Sequence, residues 1–565
     1  MKRLFFSASL IFIASASLCA QNINILYTTD VHGAIFPYSF TEEKSVNNSM
    51  SQVYSYIKSV RDTSDNVIVL DNGDFLQGTP VNYYYNYIEP QSVNIVSEVY
   101  NFLGLDALGV GNHDIEPGHE VYDKIKSELH MPWIAANAVS QSTRQPYFEP
   151  YIVAERAGKR IAIIGLITPY ISHWLPESKW LGIDFEDMVE SAQKWVDIVR
   201  EKEHPDAIVG LFHSGYDYNY GGLTANTYCN ENASLLVAER VDGFNAILIG
   251  HDHKIYNRTV SGPKGTEVVV LDAGTAARNV GLLNLSFDAQ GQAHCKAQLI
   301  EMKNVAPSAE FDQKFALHLD KVKAYTQKEI ATVSTEIRAT EALFGSSAIV
   351  DIAHKAMLSY TNADISVSAP LQLNTVIPVG SLTVGKMFSI YKFENTLNVL
   401  KLTGKELKGY LEYSYNLWLS SDVEKNNHLI QMNEKGRLKN QFFNFDSAAG
   451  IVYTVDPFKA MGERISIVSM ADGKPFDMQK TYTVAINSYR SNGGGGHLER
   501  GAGLSLQEIA QRQVASYDRD LRSIIVDYIA NNPDTWSQPL QNWKFVPENK
   551  VKIYSDVDKK IFNLQ

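Results

Sequence analysis

Apolar and polar positions in the first half of the chain come in blocks. Runs rich in Val, Ile and Leu occupy residues 23–27, 67–70, 105–110, 207–212 and 246–249, separated by stretches long enough for helices. Short apolar runs spaced in this way predict buried strands of an α/β domain. Each run ends in a polar motif: Asp30-Val31-His32, Gly73-Asp74, Gly111-Asn112-His113-Asp114, His213-Ser214-Gly215 and Gly250-His251-Asp252-His253. Ligands of such sheets sit at the carboxyl ends of the strands, on one rim. Asp, Asn and His converging there without thiolates suit hard-to-borderline metal ions. The pattern predicts a hydrolytic rim.

Taken singly, the motifs say little. Asp-x-His is a common chance match, and Asp74 alone reads equally well as a loop carboxylate capping the next helix. In Gly111-Asn112-His113-Asp114, a capped turn explains Gly, Asn and Asp but leaves His113 without a reason. A lone histidine is ordinarily a polar or core residue. Five such motifs in order, each after an apolar run, are not explained that way.

A chain of 565 residues is too long for one core, so at least two domains are expected. Lys2 and Arg3 followed by a mostly apolar stretch and small residues up to Cys19-Ala20 predict a secretory leader over residues 1–20. Lipid attachment at Cys19 is the competing reading. Cys229 and Cys295 then remain, as a pair or as separate thiols. No later stretch is long and apolar enough for a membrane span. A net charge of −12 without any basic run argues against a nucleic-acid polymer as partner. Small anionic substrates stay compatible, because bound metal supplies local positive charge. The rim motifs fall within 21–305. Residues 306–338 predict an exposed linker helix, 339–546 a second unit with strands near 364–368 and 482–486, and 547–565 a polar tail.

The motif order D-x-H, G-D, G-N-H-[DE], H and G-H-x-H resembles the calcineurin-like metallophosphoesterase superfamily. Within it the chain is similar to the secreted 5′-nucleotidase family, whose members add a C-terminal nucleotide-binding domain. The resemblance implies a four-layer α/β/β/α sandwich joined by a linker helix to a C-terminal α/β domain, with rotation between the two. It also implies two divalent metal ions of unknown identity, with Zn, Mn, Fe or Co all acceptable to these ligands. Asp30, His32, Asp74 and His253 would hold one; Asp74, Asn112, His213 and His251 would hold the other, with Asp74 shared. His113 becomes the candidate for stabilising or protonating the leaving oxygen. The family pattern puts an Asp three residues after this His, where this chain has Glu116; the adjacent Asp114 is the other carboxylate available to orient it.

In the second unit the resemblance aligns Phe393 and Tyr489 with the family's base-stacking pair and Asn395 with its base-contacting Asn. Arg490, Gly494 and Gly495 complete the expected substrate-binding set. Rings from two loops can sandwich a nucleobase, each stack contributing roughly 1–3 kcal/mol. Two departures stand out. Ser368-Ala369-Pro370 replaces an N-G-G-x-R stretch, and Gly493 to Gly496 replaces G-G-D-G, so that Gly495 stands where a ribose-binding Asp is usual. These changes, with Ile377-Pro378-Val379-Gly380-Ser381-Leu382-Thr383 and Asn487-Ser488-Tyr489-Arg490, resemble the branch of 2′,3′-cyclic-nucleotide 2′-phosphodiesterases and 3′-nucleotidases. The expected activity is therefore export-linked hydrolysis of 2′,3′-cyclic nucleotides to 3′-nucleotides and then to nucleosides, in the periplasm. A 5′-nucleotidase or nucleotide-sugar hydrolase using the same metals is the alternative, and a non-catalytic nucleotide-binding surface protein a remoter one.

Overall fold

The computed structural model describes residues 22–564. The expected leader, with Cys19, lies outside them. Two six-stranded sheets form the heart of the first unit. The first runs Ala293–Glu301, Asn279–Phe287, Ile23–Thr28, Val67–Asp71, Ala107–Gly109, Trp133–Ile134; the second runs Ile255–Ser261, Glu267–Ala273, Ala246–Ile249, Ala207–His213, Lys159–Ile167, Tyr151–Arg156. The central strands are parallel; antiparallel strands close both edges of the second sheet and one edge of the first, whose other edge, Trp133–Ile134, is parallel.

Successive side chains of a strand point to opposite faces, which explains the unbroken apolar runs. Ile23, Ile25 and Tyr27 pack between the sheets against Val209, Leu211 and Leu248, while Leu26, Val67 and Val69 face helices outside. On the second sheet Ala162, Ile164, Ile208 and Phe212 turn outward to the helices Met188–Glu203 and Ser234–Arg240. The result is helix, sheet, sheet, helix.

The second unit centres on a five-stranded sheet ordered Ser447–Ala449, Ile365–Ser368, Thr481–Asn487, Thr396–Thr403, Gln513–Asp520. Helices Ala348–Thr361 and Leu521–Asn531 share one apolar cluster with it, and Gly404–Trp418 shares another. The glycine cluster and the loop of Phe393 lie at neighbouring strand ends, because Thr396–Thr403 and Thr481–Asn487 pair antiparallel.

The connection differs from expectation. Two helices, Ala309–Lys314 and Ala316–Thr326, replace one, and strands Glu329–Val333 and Ile337–Arg338 already pair with the second unit. Nor are the helices simply exposed. Phe311, Phe315 and Val322 are fully buried beside Tyr54 and Phe102, while Leu317 stays in solvent. Charges between these aromatics masked the apolar face. The polar tail also folds: Glu548–Ile561 is a helix that buries Val551 and Asp558. Asp558 pairs with His428 and accepts the Ile430 N–H at 2.8 Å. Cys229 and Cys295 are separate free thiols.

Candidate metal centre and substrate cleft

Parallel strands in register bring their carboxyl ends to one edge, and the polar motifs therefore meet. Asp30 and His32 follow Ile23–Thr28, Asp74 follows Val67–Asp71, and Asn112 and His113 open the short helix Asn112–Ile115. His213 ends Ala207–His213, and His251 and His253 follow Ala246–Ile249. Space is tight: a Cβ on Gly111 would sit 2.2 Å from Asp74 Oδ1, so only glycine lets these loops touch.

Asp30, His32, Asp74, His251 and His253 all adopt positive φ, from 47° to 81°. Side chains with a Cβ avoid this region, at a cost of about 1–3 kcal/mol each. Backbone bonds between loops hold the conformation: Asp30 N–H donates to Gly73 O at 3.0 Å and His32 N–H to Asp74 O at 2.9 Å. In urea unfolding, His253→Gly should be about 1 kcal/mol more stable than His253→Ala. Both variants lose the same ring, 42% exposed, so the difference isolates backbone strain at φ 58°. Equal midpoints would show no strain there.

Two groups of side chains converge. Asp30, His32, Asp74 and His253 offer ligand atoms all within 4.8 Å of one another, as do Asp74, His213 and His251. Asp74 belongs to both. Its buried Oδ2 has no well-aligned hydrogen-bond donor, although His213 Nε2 is 3.1 Å away. His32 Nε2 and His253 Nε2 face each other at 2.9 Å, and Asn112 Oδ1 lies 2.8 Å from His251 Nδ1 and 3.2 Å from His213 Nε2. Lone pairs facing one another in this way suit a cation between them. The far ring nitrogens are already occupied: His32 Nδ1 is 2.9 Å from Gln77 O and His213 Nδ1 2.6 Å from Asn72 O. A proton held there turns Nε2 towards the centre as a lone pair. Burial pushes His32 down to about 3, keeping it neutral. Burial also opposes charge on His213, but Asp74 and Asp30 outweigh it and lift the group to about 10. The carboxylates demand positive charge at this point, and a divalent ion meets that demand. These residues fit the metal that the motifs imply.

His113 leans over this centre, its ring 5.4 Å from that of His32. Its Nδ1 bonds Glu116, which leaves Nε2 as the free ring nitrogen. Burial lowers its affinity for a proton, yet Asp74 and Glu116 raise it to about 9. Asp114 does something else. It is fully buried, and its carboxylate accepts four backbone N–H groups, from Gly111, Asp74, Phe75 and Leu76, at 2.8 to 3.1 Å. A carboxylate so occupied staples two metal-rim loops together. The expectation of Asp114 as a catalytic group is corrected accordingly.

A cleft of about 520 Å³ opens above the rim, with Asn112, His113, His251 and His253 on one wall and Phe393, Asn395 and Tyr489 on the other. Three expected substrate contacts change role. Gly494 and Gly495 do not line this cleft; they back the loop of Tyr489 and Arg490. Arg490 borders it but is buried, with four N–H groups committed to Asp446, Phe443 O and Gly494 O. At φ +74° a Cβ on Gly495 would meet Arg490 Nη1 at 2.3 Å, so an Asp does not fit this arrangement.

Other residues of the cleft carry no motif. Trp174 stacks on the His251 ring with centroids 5.4 Å apart, and Glu231 Oε1 lies 3.3 Å from His251 Nε2. Behind the cleft, buried Arg522 bonds the carbonyls of Tyr391 and Lys392, both at 2.8 Å, and so fixes the loop bearing Phe393. The only sequence signals were a Trp shortly after the strand Lys159–Ile167 and a lone acid in Asn230-Glu231-Asn232.

Residues 23–255 match the family of calcineurin-like phosphoesterases, and residues 326–500 match the 5′-nucleotidase C-terminal domain. A 2′,3′-cyclic-nucleotide 2′-phosphodiesterase/3′-nucleotidase of Salmonella typhimurium is 25% identical over 86% of this chain and 84% of its own length. A trifunctional nucleotide phosphoesterase of Bacillus subtilis is 24% identical over 94% of this chain, which spans only 39% of that longer protein. Among solved structures, a putative 5′-nucleotidase from Staphylococcus aureus has the same fold, with a TM-score of 0.78 at 23% identity, covering 93% of this chain and 99% of that one.

Proposed function

We propose that this chain, which matches a calcineurin-like phosphoesterase domain and a 5′-nucleotidase C-terminal domain in series, is a metal-dependent phosphoester hydrolase that opens 2′,3′-cyclic nucleotides to 3′-nucleotides and dephosphorylates these to nucleosides. One observation carries the reading: a single cleft has the metal-type ligand clusters on one wall and Phe393, Asn395 and Tyr489 on the other. Asp30, His32, Asp74 and His253 would hold one divalent ion, and Asp74, Asn112, His213 and His251 a second. Bound there, the metal lowers the pKa of a water and neutralises phosphoryl oxygens.

The chain's own residues do the rest. Phe393 and Tyr489 hold the base by stacking, and Asn395 offers an amide beside them. His113 is aimed by Glu116 so that Nε2 carries a proton towards the leaving oxygen. In the first step a water oxygen adds to phosphorus and sheds a proton to solvent while the P–O2′ bond breaks and O2′ takes the His113 proton; in the second, another water does the same while P–O3′ breaks and O3′ takes the proton. Ala369 and Leu371, from the stretch that stands near the place of N-G-G-x-R, line the cleft, and Gly495 leaves out the ribose Asp. Both features support a sugar turned differently from that of a 5′-nucleotide. We place the protein outside the cytoplasm on the strength of Lys2, Arg3 and the apolar stretch behind them; among the described residues no helix is long and apolar enough to cross a membrane.

The test is kinetic. Metal-loaded protein is assayed on 2′,3′-cyclic AMP, 3′-AMP and 5′-AMP, following the monophosphate as well as free phosphate. The cyclic and 3′ substrates should give the higher kcat/KM, and His113→Ala should lower kcat about 10²- to 10³-fold with metal content unchanged. A preference for 5′-AMP would refute the reading of the second domain and keep that of the metal centre.

A further inference from the structure

Among the inward-facing imidazoles, His251 is turned the other way round. His32 and His213 direct Nδ1 to backbone carbonyls. His251 instead directs Nδ1 to the centre, 2.8 Å from Asn112 Oδ1, and leaves Nε2 pointing outward, 3.3 Å from Glu231 Oε1. Its outer partner is thus a carboxylate on a side chain with no place in the motifs. His251 also has the largest positive φ of the five rim residues that adopt one, 81°.

Glu231 is well anchored for this purpose. Its carbonyl accepts Thr168 Oγ1–H at 2.9 Å and Ser214 Oγ–H at 2.8 Å, tying it to the ends of Lys159–Ile167 and Ala207–His213. Trp174 covers the His251 ring with planes 30° apart, and its own carbonyl accepts Asn492 Nδ2–H from the second unit at 3.0 Å. The carboxylate also needs a reason to stand where it does. Glu231 lines the cleft, and an unpaired anion there would repel a phosphate ester. A hydrogen bond from His251 Nε2–H offsets that charge and fixes the tautomer that leaves Nδ1 as a lone pair.

We infer that Glu231 is a positioning residue that holds His251 in the orientation and tautomer needed to ligate metal through Nδ1. The inference rests on the reading that His251 is a metal ligand, and the experiment separates the two. Metal-stripped protein is titrated with Co²⁺, following stoichiometry by equilibrium dialysis and coordination by the visible absorption bands. Glu231→Ala should weaken one of two sites about 10- to 100-fold and leave the other unchanged. Glu231→Gln, whose amide oxygen still accepts from Nε2–H, should restore affinity to within a few-fold and return the absorption bands. His251→Ala should remove that same site. If His251→Ala keeps both sites, the reading of His251 as a ligand fails. If His251→Ala loses a site while Glu231→Ala binds like the parent, the positioning role fails and the ligand reading stands. Equal weakening in Glu231→Gln and Glu231→Ala would also overturn it, because hydrogen-bond orientation would then not be what matters. Melting curves of the metal-free variants should superimpose, since Glu231 keeps its backbone anchors in every case.

Discussion

Asp74→Asn should lower kcat by roughly 10⁴-fold and leave the protein with half its metal or less. Asp74 is the one side chain common to both ligand groups, and its Oδ2 is buried between them. Asparagine keeps the shape and one oxygen, including the acceptor for the His113 N–H, now 2.8 Å from Oδ1. It removes the charge that offsets two cations. Metal-assisted charge stabilisation is worth several kcal/mol, and about 5 kcal/mol corresponds to roughly 10⁴ in rate. The measurement pairs kcat at saturating Mn²⁺ with metal content. A variant within tenfold of the parent and fully loaded would show that Asp74 is a loop-capping carboxylate and nothing more.

The second large effect is on stability. Asp114→Ala strips the acceptor from four backbone N–H groups in two buried loops, at Gly111 and at Asp74 to Leu76. A buried unsatisfied donor costs about 1–3 kcal/mol, so a loss of about 4 kcal/mol or more is expected in urea unfolding of the metal-free protein. Asp114→Asn should fall between, because Oδ1 and Oδ2 each serve two donors and the amide keeps one oxygen. Loss of activity with unchanged stability would move Asp114 from scaffold to reaction. The contrast with Glu116 is instructive: both acids flank His113, but only Glu116 touches its ring.

Much of the candidate site could be read from the chain because it is written locally. A strand end followed by Asp30-Val31-His32 or Gly250-His251-Asp252-His253 encodes both the position on the sheet edge and the donor atoms within a few residues. Phe393 and Tyr489 were legible only through resemblance, since an aromatic residue near a loop is otherwise a core residue as readily as a stacking one. Asp114 was ambiguous for a related reason. Two acids next to one histidine look alike until the loop of Asp74 is folded over one of them. The linker shows the opposite failure: Phe311, Phe315 and Val322 sit among charges, and only the groove beside Tyr54 and Phe102 makes them core.

The sequence alone determined the α/β class, the order of the rim motifs and the donor chemistry, because apolar periodicity and strand-end polarity depend on neighbours a few residues apart. The tertiary structure alone decided which wall each residue joins. Glu231 reaches His251, Arg490 turns from the cleft to Asp446, and Gly495 excludes a side chain beside that arginine. The first two outcomes depend on atoms meeting across 20 and 44 positions and the third on how a glycine turn folds back, where close packing chooses the partner and spacing along the chain carries no trace of it.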